Sequence, residues 1–325
     1  MKAVITERYG DYSVIQLTHV DKPSPKPNEV LIKINATAVT AASTFMREGK
    51  PYFGRLFLGL TKPKIKTPGT DLAGVVEAIG SEVKNFNIGD SVMAATALDC
   101  GAYAEYICLA SDGLIVIKPE NVSPEEATGI IDGACTALAF FTDQVTIKKG
   151  QKVLINGASG SIGTAAIQLA KHFGAEVTGV CSGKNKALVK DIGADNVFDY
   201  TKNEFQNSSE KFDVVFDTVG KLSYMETRNN MSENGVFLTP VLKMSTLLTM
   251  LFVSPFTKKK LKFSATGMRT EELRKRDFII VRDMLESKQL VTVIDRVFPF
   301  VQIQKAHKYV DSERKRGNVI VTMNS

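Results

Sequence analysis

The 325-residue sequence predicts a two-domain α/β protein, with a mainly β domain followed by a doubly wound parallel sheet. A chain of this length exceeds what a single core usually organises. Short alternating apolar runs separated by Gly and Pro fill residues 1 to about 120. From about residue 123, helical patterns of a dozen residues alternate with compact apolar strands, which is typical of a parallel, doubly wound sheet.

The first part of the chain predicts an antiparallel sheet or a partly open barrel, because its apolar residues recur with the period of a half-buried strand. The predicted strands are Val30–Ile34, Ala73–Ile79, Ser91–Ala95 and Tyr103–Leu109.

The second part predicts compact, fully buried strands. They are Lys152–Ile155, Val177–Cys181, Asp213–Phe216, Gly235–Thr239 and Leu261–Ala265. A charged amphipathic helix over about Glu271–Ser287 follows, then a strand at Thr292–Phe298 and a helix near Ile303–Ser312. These late elements carry no nucleotide-binding pattern, so we expect them to return to the first domain.

Composition and charge favour an ordinary globular protein. Apolar residues make up 44% and charged residues 23% of the chain, which excludes a disordered protein. The formal charge is +6, but the basic residues are spread out and only Lys258–Lys262 forms a dense cluster. Neither nucleic acid nor a membrane is therefore expected as the main partner.

Two further features bear on location. The N-terminal residues lack the long apolar region of a secretory signal, so a cytoplasmic protein is the default expectation. The uncharged run from Met244 to Thr257 spans only 14 residues and contains Pro255, which is too short to cross a bilayer. We expect it to form a buried or interface helix.

The stretch N-G-A-S-G-S-I-G, residues 156–163, lies between an apolar strand and a helical pattern. Free N–H groups and the positive end of the helix dipole make such a junction an anion site. The glycine spacing is G-x-x-G-x-x-G, so by itself the loop fits a phosphate site and an ordinary tight turn equally well. The predicted phosphate contacts are Ser159, Gly160, Ser161, Ile162 and Gly163.

The next strand predicts which cofactor this loop holds. An NAD site places an acidic residue about 20 residues onward to accept from the ribose 2′-hydroxyl, but no acid occurs between Glu176 and Asp191. Ser182 can instead hydrogen-bond a 2′-phosphate while Lys184 or Lys186 neutralises it, which favours NADP(H). The alternative is that these lysines only solvate a turn.

The run Asp213–Gly220 is a strand leading into a glycine turn of the same sheet. Ligands of such sheets bind beyond the carboxyl ends of the strands. Thr218, Val219 and Gly220 are therefore predicted near the cofactor's ribose or nicotinamide. Asp217 is either part of this site or a structural turn residue.

An ordered set of motifs along almost the whole chain resembles the medium-chain dehydrogenase/reductases, in their zinc-free quinone oxidoreductase-like branch. The motifs are Pro68–Val76, Gly89-Asp90, Gly101–Glu105, Lys118–Glu126, Gly150–Lys171 and Val293–Pro299. The resemblance implies a discontinuous GroES-like catalytic domain, residues 1–122 and 265–325, around a Rossmann NADP(H)-binding domain at 123–264. It further implies an active site in the cleft between them and homodimers joined near Leu261–Ala265.

The resemblance also assigns site residues. In similar NADP-dependent enzymes, the residues aligned with Lys186 and Tyr200 hold the adenosine 2′-phosphate, helped by a side chain near Asn318. Thr136 is expected to border the nicotinamide.

Thr40, Ser43 and Tyr52 occupy the loop that lines the substrate cleft in similar enzymes, so they are the candidate catalytic residues. Tyr52 could protonate or hydrogen-bond the substrate oxygen, although a tyrosine in this setting is often simply packed. Thr40 replaces an Asn that is common in the branch.

No metal is predicted. Zinc-dependent members carry Cys, His and Cys ligands where this chain reads Thr40, Thr70 and about Asp132, and a catalytic zinc needs three protein ligands. The three histidines are scattered outside these motifs. No Tyr-x-x-x-Lys pair occurs, which excludes the short-chain dehydrogenases.

The reaction that needs least from such a protein is hydride delivery from NADPH to a quinone or an α,β-unsaturated carbonyl. The cofactor carries the hard step, while the protein orients the substrate and hydrogen-bonds its oxygen. The alternatives are an NADP-dependent alcohol dehydrogenase or carbonyl reductase, and a non-enzymatic NADPH-binding protein.

Overall fold

The computed structural model describes residues 1–205 and 207–323. The chain divides into two compact units. The first comprises Met1–Asp132 and Thr270–Ser325, and the second comprises Gly133–Arg269.

Strands and helices are numbered along the chain. The strands are β1 (Lys2–Ile5), β2 (Gln16–His19), β3 (Glu29–Ala38), β4 (Asp71–Ile79), β5 (Ser91–Ala95), β6 (Tyr106–Ala110), β7 (Ile115–Ile117), β8 (Lys152–Asn156), β9 (Glu176–Cys181), β10 (Asn196–Asp199), β11 (Phe212–Asp217), β12 (Met231–Thr239), β13 (Lys260–Phe263), β14 (Ile294–Pro299) and β15 (Asn318–Thr322). The α-helices are α1 (Ala41–Glu48), α2 (Arg55–Leu58), α3 (Pro124–Ala139), α4 (Ser161–His172), α5 (Lys186–Asp191), α6 (Tyr224–Thr227), α7 (Met244–Phe252), α8 (Glu271–Glu286) and α9 (Ile303–Asp311).

The first unit is built on a seven-stranded sheet. Its order is β14-β15-β3-β4-β5-β7, with β6 also paired to β3. All pairs are antiparallel except β14 with β15. Alternate residues of β3 and β4, among them Ile32, Ile34 and Leu72, pack into one core, as period-2 side-chain alternation requires. This is the mainly β, GroES-like part of the predicted fold.

The second unit is a six-stranded parallel sheet of order β10-β9-β8-β11-β12-β13. Successive strands run outward in one direction from β8 and then in the other from β11, which is the Rossmann arrangement. The prediction of a doubly wound sheet is confirmed. The reversal between β8 and β11 creates the crevice in which such sheets bind ligands.

The chain passes from one unit to the other at two points, and the domain bounds predicted at 122 and 265 stay predictions. The first falls within helix α3, at Asp132. The beginning of α3 belongs to the first unit because Thr128 Oγ1 donates to Ala36 O of β3 at 3.3 Å. The late elements β14 and α9 also lie in the first unit.

Of the two alternatives predicted for the uncharged run, a buried or an interface helix, helix α7 excludes the first. None of its described side chains is buried, and Met244 and Phe252 are 71% and 68% exposed. Helix α7 therefore presents an exposed apolar face beside edge strand β13. Within residues 1–205 and 207–323, no helix is long and apolar enough to cross a membrane.

A buried charge joins α1 to α9 in the first unit. The Arg47 guanidinium has no exposed surface and lies 3.0 Å from both Asp311 and Glu48. Its Nε donates to Gly10 O at 3.1 Å, and Nη1 lies 3.1 Å from His307 Nδ1. Burial and the adjacent guanidinium lower the pKa of His307 to about 3, so the neutral imidazole accepts from Arg47.

Candidate functional site

The glycine loop joins β8 to α4 at the reversal point of the parallel sheet. Gly157 has φ +75°, a left-handed conformation that favours glycine. A Cβ at Gly163 would lie 2.2 Å from Gly157 O, so the helix can approach the loop only without a side chain there. Helix α4 starts after Gly160 with no cap from any side chain that the structure describes. The start of α4 is thus shaped to receive an anion.

The end of β11 packs directly against this loop. A Cβ at Gly157 would lie 2.7 Å from Thr218 Oγ1 and 2.6 Å from Val219 Cγ1. The Thr218 hydroxyl donates to Asn156 O at 2.8 Å, and Val219 is 43% exposed. Gly220 follows with φ +68°. The structure therefore brings Thr218 and Val219 together with the glycine loop, and Gly220 follows them in the chain.

Asp217 acts as a turn residue. Its buried carboxylate accepts from Asn156 Nδ2 and from Leu222 N, both at 2.8 Å. The first bond ties β8 to β11, and the second closes the turn that follows β11. Of the two interpretations of Asp217, the geometry favours the structural one.

The turn after β9 contains Asn185, a residue that sequence reasoning missed. Asn185 is 6% exposed, and its Nδ2 donates to Ser159 Oγ of the glycine loop at 2.9 Å. Its buried Oδ1 has no hydrogen-bond partner among the described residues. A buried acceptor normally finds a donor, so this oxygen is suited to a ligand hydroxyl. Ser182 begins the same turn, beside the loop that Asn185 contacts.

Lys186 opens α5 next to that turn and is paired with an acid. Its Nζ lies 2.9 and 3.1 Å from the two carboxylate oxygens of Glu204. The hydrogen bond to Glu204 raises the pKa of Lys186, and the same bond lowers the pKa of Glu204. Tyr200, 54% exposed, follows β10 on the strand that neighbours β9. The two predicted phosphate ligands therefore lie at one edge of the sheet, accompanied by a carboxylate that was not predicted.

Thr136 lies in the part of α3 that packs on the start of α4. A Cβ at Gly133 would lie 2.6 Å from Ser161 O, which shows how closely the two helices approach. Thr136 is 7% exposed, and its Oγ1 lies 3.3 Å from Thr266 Oγ1. Asn318 belongs to the first unit, where its Nδ2 donates to Val293 O at 3.0 Å. Its predicted role at the phosphate stays a prediction.

Two of the three candidate catalytic residues form the N-terminal cap of α1. The Thr40 hydroxyl accepts from Ser43 N at 3.1 Å and lies 3.1 Å from Ser43 Oγ. Both side chains are buried. The Tyr103 phenol donates to Ala38 O at 3.1 Å and contacts the Ser43 hydroxyl. Burial raises the pKa of Tyr103, so it stays protonated. Tyr103 was not predicted as a site residue, because the motif Gly101–Glu105 does not reveal that its side chain is buried.

Tyr52 is placed differently from Thr40 and Ser43. It is 69% exposed and its ring centroid lies 5.0 Å from the Arg55 guanidinium, a cation–π distance. An exposed phenol beside a cation can donate a hydrogen bond to a ligand oxygen. The catalytic roles of Tyr52, Thr40 and Ser43 stay predictions.

The first unit contains a buried carboxyl, that of Asp71, which faces the carboxylate of Asp132. Burial, reinforced by the Asp132 carboxylate, raises the pKa of Asp71 well above its usual range, and Thr70 Oγ1 donates to Asp71 at 3.1 Å. Burial lowers the pKa of Lys315, whose charge faces Asp132, to about 8. No group of three or more His, Cys, Asp or Glu side chains suited to a metal ion occurs in the described part of the chain.

Two cavities open on opposite edges of the second unit's sheet. The cavity of about 240 Å³ lies beyond the carboxyl ends of β11 and β12 and is lined by Asp217, Gly220 and Thr239, among others. A larger hollow of about 480 Å³ lies at the amino ends of the same strands, beside Asp213 and Glu233. Ligands of such sheets bind beyond the carboxyl ends, and the smaller cavity lies at that edge, on the β12 side of the glycine loop.

Comparison with known proteins identifies the family. A model described as "Alcohol dehydrogenase GroES-like domain" matches residues 26–120, and one described as "Zinc-binding dehydrogenase" matches residues 192–321. The chain is 33% identical to quinone-oxidoreductase QR1 of Triphysaria versicolor over 99% of its own length and 98% of the relative. It is also 33% identical to 2-methylene-furan-3-one reductase of Solanum lycopersicum, over 99% of its length and 79% of that protein.

Similarity extends to a third relative and to a solved structure. The NADPH-dependent alkenal/one oxidoreductase of Arabidopsis thaliana is 30% identical over 99% of this chain and 79% of that protein. The quinone oxidoreductase from Coxiella burnetii superposes with a TM-score of 0.88 at 27% identity, covering 100% of this chain and 99% of the other. Because QR1 and the Arabidopsis protein are described as chloroplastic, a cytoplasmic location stays a prediction. The chain belongs to the medium-chain dehydrogenase/reductase superfamily, in its quinone oxidoreductase-like branch.

Proposed function

We propose that the protein is an NADPH-dependent reductase that transfers hydride to a quinone or an α,β-unsaturated ketone or aldehyde. The observation that carries this proposal is the β8–α4 glycine loop with the lysine turn beside it. The loop supplies amides for a pyrophosphate, and Lys186 supplies a cation where a 2′-phosphate would lie. The names of the relatives, which include quinone oxidoreductases and an alkenal/one oxidoreductase, support the same substrate class.

The residues present fit a nicotinamide dinucleotide. Gly157 and Gly163 leave room for close backbone approach, and the orphaned Asn185 Oδ1 offers an acceptor to a ribose hydroxyl. The amides of Ile162 and Gly163 would hold the pyrophosphate, while Ser182 and Lys186 would hold the 2′-phosphate. The bound nicotinamide supplies the hydride.

On the substrate side, the chain has to orient a carbonyl and stabilise the charge on its oxygen. Of the three candidate residues, Tyr52 is exposed, whereas Thr40 and Ser43 are buried. We therefore assign to the Tyr52 phenol the hydrogen bond to the substrate oxygen. Thr40 and Ser43 fix the start of α1, from which the segment containing Tyr52 continues. The proposed reaction uses no zinc. The positions of Thr40, Thr70 and Asp132 provide two hydroxyls and one carboxylate instead of the usual zinc ligands.

The test measures NADPH oxidation by the purified protein with quinones, enones, enals and simple aldehydes. We expect turnover with the conjugated acceptors, unchanged by a chelator. Tyr52→Phe should lower kcat about fivefold through loss of one hydrogen bond, while the Kd for NADPH stays constant. Tyr12→Phe, at another tyrosine of the first unit, is the control.

Two outcomes would contradict the proposal. Tight NADPH binding with no turnover on any acceptor would point to a non-enzymatic protein. Turnover confined to simple carbonyls, increased by zinc and lost with a chelator, would point to an alcohol dehydrogenase.

We further infer a homodimer formed along edge strand β13 and the apolar face of α7. Leu251 and Phe252 are 57% and 68% exposed, and contiguous exposed apolar side chains mark interaction sites. Sedimentation equilibrium should return twice the mass of one chain. The double variant Leu251→Asp/Phe252→Asp should sediment as a monomer that still binds NADPH, whereas a monomeric unmodified protein would refute the dimer.

A further inference from the structure

The lysine assigned to the 2′-phosphate already has a partner. Lys186 Nζ contacts both carboxylate oxygens of Glu204, at 2.9 and 3.1 Å. Both side chains are about one-third exposed, so the pair lies at the surface where a cofactor phosphate could reach it. An anionic ligand therefore meets a cation that is already neutralised.

Glu204 is the more firmly held member of the pair. Its Oε2 accepts from Asp199 N at 2.5 Å, and its own N–H donates to Asp199 O at 3.3 Å. Lys186 reaches the carboxylate through a flexible four-carbon stem. When a phosphate arrives, the ammonium can move toward it, while the carboxylate stays in place.

A second carboxylate lies in the same region. Asp199 accepts from Thr201 N at 2.9 Å and from Thr201 Oγ1 at 2.7 Å. A Cβ placed on Gly183 would lie 2.4 Å from Asp199 Oδ2, which brings this carboxylate against the turn that follows β9. Two fixed negative charges thus border the position assigned to the 2′-phosphate.

These charges act differently on the two forms of the cofactor. A 2′-phosphate must displace the Glu204 carboxylate from the Lys186 ammonium. It then remains close to that carboxylate, which carries a charge of the same sign. A ribose 2′-hydroxyl brings no charge, and a carboxylate is the acceptor that NAD sites offer it.

We propose that Glu204 is a specificity-determining residue, which competes with the 2′-phosphate for Lys186 and so limits the preference for NADPH over NADH. The inference rests on the proposed nicotinamide cofactor. Glu204 enables the site to accept both cofactors, with Lys186 favouring the phosphorylated form and Glu204 reducing that preference.

The experiment measures binding of adenosine 2′,5′-bisphosphate and of 5′-AMP by calorimetry, because the two probes differ only in the 2′-phosphate. Glu204→Gln keeps the side-chain length and an oxygen acceptor for Asp199 N but removes the charge. We expect the bisphosphate to bind about twofold to fivefold tighter, as loss of one competing exposed ion pair allows. Binding of 5′-AMP should stay equal or weaken, and the Kd ratio for NADH over NADPH should rise by at least the same factor.

Glu233→Gln is the matched control. Glu233 pairs with Lys258 in the same unit, and both side chains are more than 70% exposed. The substitution makes the same change in net charge and should leave the ratio unaltered. In a Lys186→Ala background, the gain from Glu204→Gln should shrink, since the competition for the ammonium is gone.

The outcomes separate the inference from the proposed function. If the unmodified protein binds neither NADPH nor the bisphosphate, the proposed function fails. If it binds both, three results would overturn the inference. They are an unchanged NADH-to-NADPH Kd ratio in Glu204→Gln, an equal change of that ratio in Glu233→Gln, and an undiminished gain in bisphosphate affinity from Glu204→Gln in the Lys186→Ala background. Weaker bisphosphate binding by Glu204→Gln also overturns it, because the carboxylate would then be positioning the lysine for the phosphate.

Discussion

Replacing Lys186 with alanine is expected to weaken NADPH binding by about 10- to 100-fold, which corresponds to a charge-assisted hydrogen bond to phosphate. Two effects add in the variant. The 2′-phosphate loses its cation, and Glu204 is left without the ammonium that now neutralises it at 2.9 Å. NADH carries no 2′-phosphate, so its Kd should change by no more than about twofold. Fluorescence titration with both cofactors measures the two constants.

Lys184→Ala supplies the control for this experiment. Lys184 is an exposed lysine of the same turn, and the structure gives the contact with Glu204 to Lys186. We expect Lys184→Ala to alter NADPH binding by less than about threefold, as screening of one exposed charge allows. Equal use of NADPH and NADH by the unmodified protein, unaffected by loss of Lys186, would refute the 2′-phosphate assignment.

Much of the fold could be predicted because many of its strands contain short apolar runs bounded by polar residues, Gly or Pro. Strand β5 was predicted residue for residue at Ser91–Ala95, and the predicted helix after the Rossmann strands differs from α8 by one residue. Strand β10 was missed since its four residues, N-V-F-D, hold only two apolar side chains. Local periodicity carries too little information over so short a segment.

The acids near the cofactor turn could not be found by reading along the chain. The spacing rule for NAD sites examines the end of β9, where no acid follows Ser182 before Asp191. Asp199 comes instead from the neighbouring strand, whose parallel register sets Asp199 opposite Cys181. Only the pairing of β10 with β9 places Asp199 and Glu204 beside Lys186. The charge argument from the sequence therefore identified the lysines of the turn but missed the acidic residues, Asp199 and Glu204, that lie beside Lys186.

The same limit applies to the hydroxyl groups of the first unit. The sequence pattern identified Thr40 and Ser43 as hydroxyls in the right loop, yet it could not show that they cap α1 and hydrogen-bond each other. The Ser43 hydroxyl also contacts Tyr103, which is distant in sequence. Motif position predicts which residues are near a site, whereas exposure distinguishes Tyr52 from the two capping residues.

Arg47→Ala is expected to lower the free energy of unfolding by about 3 to 5 kcal/mol, the usual cost of breaking a buried ion pair from one side. The guanidinium is fully buried and serves Asp311, Glu48, Gly10 O and His307 at once. Removal leaves His307, which is fully buried, without the donor to its Nδ1. The partner carboxylates are about one-quarter exposed and can regain water, which places the loss toward the lower end of the range. Urea denaturation measures it.

The control for Arg47 is Arg314→Ala, which removes an exposed arginine of the same unit and should change stability by less than about 0.5 kcal/mol. NADPH affinity of the folded Arg47→Ala protein should be unchanged, because the glycine loop and Lys186 lie in the other unit. This separation matters, since a loss of cofactor binding equal to that of Lys186→Ala would mean that the effect reaches the second unit. A stability loss below about 1 kcal/mol would show that water replaces the guanidinium and that the buried charge does not hold α1 to α9.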